Sequence, residues 1–423
     1  MKFYIYNLGC KVNAYETNVM KDNLINNGFT LSNEENADII IINSCTVTNT
    51  ADNKTMKLIR HVRNKTKAII VVVGCFIQVH KDDLSFIDAD ILLGNKNKSI
   101  ISSYIKKYLK EKKRIEDIYN IETTDFEKMC LNNYDHTRAF IKIQDGCNNF
   151  CSYCIIPYSR GGVRSKNKDE VINEVKTLIK NGHKEIVLTG IHTGNYGVEF
   201  KNYDFACLLC DLVKIEGLER LRISSIEITE INERVMNIIK NNKILVDHMH
   251  IPLQSGSNEI LKNMNRKYDM NYFIDKINKL KKIRPNISIT TDVIVGFPGE
   301  TETLFEETIN NIKKIGFTKL HVFPYSKRNG TKACTMENQV TEEVKKKRSH
   351  TLLNLSKELE INYMNKFINK KTTFIPEIEK DGYLIGHTGN YLLIKCKGTK
   401  LVHNSINITI TKIEYPYCIA QIN

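Results

Sequence analysis

The chain has 423 residues, 41% hydrophobic and 26% charged, a soluble balance too long for one ordinary core that asks for two or three domains. Its longest apolar runs, 39–42 and 68–73, are strand-sized, which excludes a membrane-spanning helix, and the opening MKFYIYNLGC lacks the apolar core of a signal peptide, so a cytoplasmic location is expected. The formal net charge of +14 suits a polyanion such as RNA, and 12 cysteines in a reducing compartment point to metal or redox work for some and buried filler for the rest, not to disulfides.

Residues 3–6, 38–42, 68–73 and 91–93 read as strands, and 16–27, 51–63 and 100–108 as helices. Their alternation predicts a parallel sheet in an α/β domain over 1–110. Cys10, Cys45 and Cys75 each follow one of the first three strands. The C-terminal strand ends of such a sheet share one edge, so the three thiols are expected to converge there. Residues 111–137 are charged and without clear periodicity, and read as a linker.

A second alternating array spans 138–340. Its expected strands are 139–143, 185–188, 221–224, 248–253, 288–295 and 319–324, with helices between them such as 169–181 and 302–315. Six βα units fit a partial TIM-like barrel, since a full eight-unit barrel usually needs about 250 residues. Residues 341–370 read as one basic helix, whose Lys345, Lys346, Lys347 and Arg348 either meet phosphate or form a solvated face. From 371 to 423 the period changes to two. TTFIPEIE, GYLIGHTG, YLLIKC, SINITITKIE and YCIAQI predict a small all-β, barrel-like module.

The stretch DGCNNFCSYCIIPYSRGG follows the first strand of the second array and carries Cys147, Cys151 and Cys154 as C-x3-C-x2-C. A structural zinc site takes four protein ligands, often as paired C-x2-C arms, and no second arm is near. Three clustered thiolates suit a cubane iron–sulfur cluster with one iron left open at the mouth of a barrel. Cys207 and Cys210 form another C-x2-C, but their helical, apolar setting reads as filler. Cys130, Cys334, Cys396 and Cys418 stand alone and read the same way. His192 follows the second strand with no motif behind it.

C-x3-C-x2-C with Tyr153 before its last cysteine resembles the radical S-adenosylmethionine enzymes. GCNNFCSYCIIPYSRG as a whole resembles their methylthiotransferase branch. So do LGCKVNAYET, INSCTVTNTAD, VVGCFIQ, EIVLTGIHTGNYG, RLRISSIE, HMHIPLQSGSNEILKNMNRKY, TDVIVGFPGETE and HVFPYSKRNGTKA, which carry the likeness from about residue 2 to 370. The last segment resembles the family's RNA-binding TRAM module more loosely, being short and modestly basic.

The resemblance implies that Cys147, Cys151 and Cys154 hold the radical-generating [4Fe–4S] cluster, whose open iron binds S-adenosylmethionine. Cys10, Cys45 and Cys75 would hold a second [4Fe–4S] cluster that handles the sulfur. A second S-adenosylmethionine would supply the methyl group, and a methylthio group would replace a carbon-bound hydrogen. An unactivated C–H bond offers no acidic proton, which agrees with the lack of an acid–base constellation in the chain.

Further cofactor candidates are Tyr153, against the adenine; Thr189 and Gly190, at the second strand's end; and Ser225 and Glu227, for ribose or amino acid. Val295 or Phe297 are candidates to flank the adenine, and Gln254 to meet substrate or cofactor. Partners would be tRNA and a low-potential electron donor such as flavodoxin or ferredoxin, with no membrane. The string LGCKVNAYET is most similar to the type acting on threonylcarbamoyladenosine in tRNA. The isopentenyladenosine type tends to carry GCQMN and the type acting on a ribosomal-protein aspartate GCPKN, and both remain alternatives. Lys327 stands where the family commonly has Pro, so its loop is expected to be altered.

Overall fold

The computed structural model describes residues 1–121, 125–132, 134 and 136–423. The first unit comprises β1 (Lys2–Asn7), α1 (Lys11–Asn26), β2 (Thr30–Leu31), β3 (Ile39–Ser44), α2 (Asn49–Lys65), β4 (Ile69–Gly74), α3 (Cys75–Val79), β5 (Ile91–Leu93), α4 (Ile101–Glu111) and β6 (Ile115–Asp117). The six strands pair in parallel in the order β2-β1-β3-β4-β5-β6. β3 and β4 are near-continuous apolar runs because helices cover both faces of the sheet. Ile39, Ile41, Val71 and Val73 enter one core, and Ile40, Ile42, Ile70 and Val72 enter the opposite one.

β2 and β6 are additions to the sequence reading. β6 lies inside the stretch expected to be linker, where Ile115 is buried against the sheet edge. Two- and three-residue strands are too short for an alternation to register. The rest of that stretch falls partly outside the described residues.

The second unit runs β7 (Arg138–Lys142), β8 (Gln144–Asp145), α5 (Ile156–Arg160), β9 (Arg164–Ser165), α6 (Lys168–Lys180), β10 (Glu185–Thr189), α7 (Phe205–Leu212), β11 (Arg220–Ile223), α8 (Glu233–Asn241), β12 (His248–His250), α9 (Asn258–Asn263), α10 (Met270–Ile283), β13 (Ser288–Val295), α11 (Glu302–Ile315) and β14 (Lys319–Pro324). Two parallel three-stranded sheets, β7-β10-β11 and β12-β13-β14, meet through a parallel bridge between Leu221 and Leu245. Alternate residues of all six strands line one cavity: Phe140, Val187, Arg222, His250, Thr290 and His321. The residues between them, Ile141, Leu188, Leu221, Met249, Ile289 and Leu320, face out into the core beneath the helices. Six strands therefore curve round one lumen as a partial barrel. Ordinary barrels fill this space with Val, Ile and Leu; here it holds Arg, His and Thr.

Helix α1 packs beside β7. Tyr15 donates to Glu174 at 2.9 Å, and Glu16 accepts from Lys142 of β7 at 2.7 Å.

After the barrel comes α12 (Glu342–Asn365), whose Thr341 hydroxyl accepts from the Val344 amide. The helix ends at Asn365, before the expected boundary, and the chain turns through Asn369 at φ +62° into β15. Its basic run is not one solvated face. Lys345 and Arg348 are buried, and Arg348 pairs with Glu300 at 2.9 Å and Glu302 at 3.1 Å.

β15 (Lys371–Lys380), β16 (Tyr383–Thr388), β17 (Leu393–Lys397), β18 (Ile406–Glu414) and β19 (Tyr417–Ile422) close a barrel in the order β15-β16-β17-β19-β18. This small barrel docks on the N-terminal end of the larger one. Arg220 donates to the His387 carbonyl at 3.1 Å and the Thr373 carbonyl at 3.0 Å.

Candidate functional site

Cys147, Cys151 and Cys154 lie on the loop after β8, above the C-terminal end of β7. The loop is tightly held. Ser152 bonds to the Met264 carbonyl through its amide at 3.1 Å and to the Asn263 carbonyl through its hydroxyl at 2.8 Å, and its own carbonyl accepts from Ala333 at 2.7 Å. Gly146 starts the turn at φ +73°, and a Cβ there would stand 1.9 Å from the Gly162 carbonyl oxygen, so no side chain fits.

Burial pushes the Cys154 thiol up to about 12, and the adjacent Cys151 and Cys147 sulfurs add to the rise. All three are partly buried, at the rim of the protein rather than sealed within it.

Cys10 caps the start of α1, Cys45 follows β3, and Cys75 opens α3 directly after β4. These strands are neighbours in the sheet, which brings their ends together. Burial pushes Cys45 up to about 11, with Cys75 and Cys10 both contributing. Cys10 is exposed and Cys75 buried, so this triplet also has one open side.

The two triplets share one interface. α3, which begins at Cys75, packs on α5, which begins just after Cys154. Asn95 spans the junction: its Nδ2 donates to the Cys75 sulfur at 3.3 Å and to the Ser159 carbonyl at 2.8 Å. Behind it lies a buried charge network. Glu16 accepts from Lys98 at 2.5 Å, Lys142 at 2.7 Å and Arg160 at 2.9 Å, and Asp145 accepts from Arg160 at 3.1 Å.

Among the described residues, no three His, Cys, Asp or Glu side chains close on one point as ligands of a single metal ion do. A cubane asks for a wider spread, because each thiolate takes a different iron. Two open cysteine triplets, with Asn95 and Arg266 as donors and the His192 ring beside their sulfurs, would suit such clusters.

Two donors to the barrel triplet have no signal in the cysteine motif. Arg266 Nη1 stands 3.3 Å from the Cys151 sulfur, Nη2 donates to Glu227, and Nε donates to the Tyr268 hydroxyl at 3.2 Å. His192 Nδ1 stands 3.6 Å from the Cys147 sulfur while Nε2 meets Glu230. Burial alone would lower the imidazole's pKa, but Cys147 and Glu230 push it up to about 10. Arg266 and Tyr268 both stand within MNRKY, but Cys151 and Glu227 come from loops distant in the sequence.

The remaining candidates sit around the barrel mouth. Tyr153 meets Phe297 edge-on at 6.5 Å between ring centres, and Phe297 continues to Tyr325 at 5.6 Å. Val295 and Phe297 are both fully buried, but Val295 joins the barrel core whereas Phe297 belongs to the small cluster on which Tyr153 packs. Thr189 ends β10 and accepts from the Ser224 hydroxyl at 3.4 Å. Gly190 follows, and a Cβ there would press on Gln144 at 3.0 Å. Ser225 is half-buried after β11. Glu227 is occupied by Arg266. Gln254 adopts φ +65° and bridges to Val293 of β13.

Among the cysteines read as filler, Cys396 and Cys418 are buried in the small barrel. Cys207, Cys210 and Cys334 are partly buried, and Cys207 accepts from Arg234 at 3.2 Å. Cys130 departs from the expectation: it is exposed, in irregular chain ahead of β7 where no apolar element covers it. Lys327's loop docks on the first unit, its carbonyl accepting from Asn49 at 2.9 Å. Arg328 beside it reaches Thr46 and Asp52, each at 2.7 Å.

The Radical SAM superfamily profile matches residues 141–312, and that of the Uncharacterized protein family UPF0004 matches residues 2–94. The Threonylcarbamoyladenosine tRNA methylthiotransferase MtaB of Bacillus subtilis (strain 168) is 44% identical over 424 residues, 97% of this chain and 94% of the relative. The chain belongs to the radical S-adenosylmethionine methylthiotransferases. Within this family, the tRNA-2-methylthio-N(6)-dimethylallyladenosine synthase of Lachnoclostridium phytofermentans (strain ATCC 700394 / DSM 18823 / ISDg) is 34% identical, over 100% of this chain and 95% of the relative. In fold, the methylthiotransferase chain is similar to a solved radical S-adenosylmethionine methyltransferase, TsrM from Kitasatospora setae, with cobalamin and a [4Fe-4S] cluster bound. The TM-score is 0.58 at 11% identity, covering 79% of this chain and 73% of that one. No helix among the described residues is long and apolar enough to cross a membrane.

Proposed function

We propose that this chain inserts a methylthio group at carbon 2 of N6-threonylcarbamoyladenosine, next to the anticodon of tRNA. The observation that carries the reading is the meeting of two open cysteine triplets, one from each unit, across the contact of α3 with α5. A transfer of sulfur to a carbon radical needs a radical source and a sulfur-bearing site facing one substrate. The preference for the threonylcarbamoyl nucleoside over the dimethylallyl one follows the higher identity to relatives named for it.

Cys147, Cys151 and Cys154 would hold one [4Fe–4S] cluster, and Cys10, Cys45 and Cys75 a second. With S-adenosylmethionine bound, the first supplies one-electron cleavage of the cofactor and thereby hydrogen abstraction from an unactivated C–H bond. The chain's own part is placement. Arg266 would donate to the Cys151 sulfur and shift its electron density, and the His192 ring stands beside the Cys147 sulfur with Asn195 at the same nitrogen. Tyr153 with Phe297, Thr189, Gly190, Ser225 and Gln254 shape the cofactor's seat at the mouth. Asn95 ties one triplet to the other and fixes their separation. The electron would come from a low-potential donor such as flavodoxin or ferredoxin, and a tRNA substrate places the protein in the cytoplasm.

The test has two arms. Anaerobically reconstituted protein should hold about eight irons, falling to about four when Cys10, Cys45 and Cys75 are replaced by Ala. Iron near four before the replacement and unchanged after it would refute the two-cluster reading. tRNA nucleosides from cells lacking the gene should lose methylthiolated threonylcarbamoyladenosine. Its persistence in a strain without a paralogue would refute the substrate.

A further inference from the structure

The barrel lumen is a cavity of about 310 Å³ below the cysteine loop, walled by all six strands and floored by the small barrel. It is unusually rich in hydrogen-bond donors without partners. Arg222 is 2% exposed; its Nε is held by Glu185 at 2.6 Å, yet neither Nη1 nor Nη2 has a hydrogen-bond partner. His248, 6% exposed, leaves Nδ1 without one. Lys11 projects into the lumen from the first turn of α1, and its ammonium makes no hydrogen bond or ion pair among the described residues.

Glu185 balances the charge of Arg222 from outside the lumen but leaves its two outer nitrogens unmet. Glu360, the only acid among the described lining residues, is already paired with Lys319 at 3.0 Å. Arg138 is likewise engaged, with Tyr391 at 3.0 Å and Glu377 at 3.3 Å. Lys11 is solvent-exposed, so the cost falls on Arg222: leaving two buried guanidinium nitrogens unpaired is expensive unless a ligand supplies the acceptors. A planar fork of two free N–H groups is the shape that takes a carboxylate in two-point contact. Phe140, Val187 and Leu393 give the same space apolar walls, so the ligand carries carbon as well as charge.

We infer that this lumen seats the threonyl carboxylate of the substrate nucleoside, with Arg222 and Lys11 as the residues that select an adenosine bearing that carboxylate over one that does not. This rests on the substrate reading above, and adds to it the part of the chain that makes the choice. Lys11 directly follows Cys10, so the carboxylate contact and the sulfur-handling triplet are fixed to one turn of helix. The threonylcarbamoyl arm would lie along the lumen while its adenine stays at the mouth.

The experiment uses full-length, anaerobically reconstituted protein and three anticodon stem-loop RNAs. They carry threonylcarbamoyladenosine, its methyl ester, and isopentenyladenosine. Binding is read by fluorescence anisotropy without reductant, and modification by mass spectrometry with it. The free acid should bind ten- to a hundredfold more tightly than the ester, roughly the worth of a charge-assisted contact. Lys11→Met should bind acid and ester alike, as should Arg222→Met. Should Arg222→Met misfold, Lys11→Met and the ester still close the cycle. Equal affinity of wild type for acid and ester would overturn this proposal alone. Inorganic phosphate that binds wild type but leaves its affinity for the acid unchanged would do the same, making the lumen a site for a free anion. Modification of the isopentenyl RNA without the threonylcarbamoyl RNA would instead overturn the substrate reading itself.

Discussion

Arg266 holds one guanidinium nitrogen 3.3 Å from the sulfur of Cys151 and gives another to Glu227. The arginine comes from the chain after α9 and the carboxylate from the loop after β11, so one buried fork joins two separate loops to the cysteine loop. A cationic donor at a thiolate stabilises its negative charge and eases reduction of a cluster it holds. Arg266→Met is expected to retain the barrel triplet's iron but move its reduction potential to more negative values. Turnover should fall ten- to a hundredfold, the usual cost of losing an outer partner of a metal ligand. Arg266→Lys should recover part of both. Potentiometric EPR checks this; an unchanged potential would leave Arg266 a packing residue.

Gly146 cannot carry a side chain without displacing the Gly162 carbonyl. Gly146→Ala should spoil the loop that presents Cys147 and leave the first unit intact. Iron per chain should drop to about half, with far-ultraviolet circular dichroism unchanged. Full iron in this variant would mean that the loop adapts.

Glu16 supports the interface between the two units. Burial alone would raise its pKa, but Arg160, Lys142 and Lys98 outweigh burial and hold it well below the carboxylate range. A depressed folded-state pKa means stability that is present above the unfolded value of about 4.3 and lost as pH falls through the lower folded value. Urea midpoints of the metal-free chain should therefore decline below about pH 4.3. Glu16→Gln, which leaves three cations facing a neutral amide, should cost about 3–5 kcal/mol at pH 7 and flatten the acid limb. A variant within 1 kcal/mol of wild type, measured by the same midpoints, would contradict this.

Arg328 fastens the loop after β14 to the first unit through Thr46 and Asp52. Arg328→Ala should raise hydrogen exchange at residues 49–52 about tenfold, equivalent to about 1.4 kcal/mol, and leave the barrel strands protected. Unchanged exchange there would mean that the Asn49 contacts suffice.

Much of the architecture is legible in the sequence because topology does the placing. Cys10, Cys45 and Cys75 lie far apart in the chain, yet each follows a strand of a parallel sheet, and that alone sends them to one edge. The C-x3-C-x2-C triplet is local and needs no fold to be seen. What escapes is whatever depends on partners from elsewhere. Lys142, Arg160 and Glu16 look like surface charges one at a time, and only the packing of α1 on β7 pairs them out of water. The polar lumen is hidden similarly. Arg222 and His248 fall on the inward side of short strands, where sequence alone cannot tell lumen from solvent. Lys345 and Arg348 belong to a helical run of cations that reads as either a phosphate contact or a solvated face, and Glu300 with Glu302 takes part of it inside.

Tyr391 of the small barrel reaches the floor of the large one at φ +69°, where it is stacked between His248 and His387 at 4.6 Å from each and covered by Arg138 and Arg222. The C-terminal segment is therefore not a detachable handle for RNA. Cutting the chain at 371 would unroof the lumen from below and strand two guanidiniums. Grafting the segment from a relative with a different substrate would exchange part of the lumen wall, so a chimera made at this boundary would reshape the lumen itself.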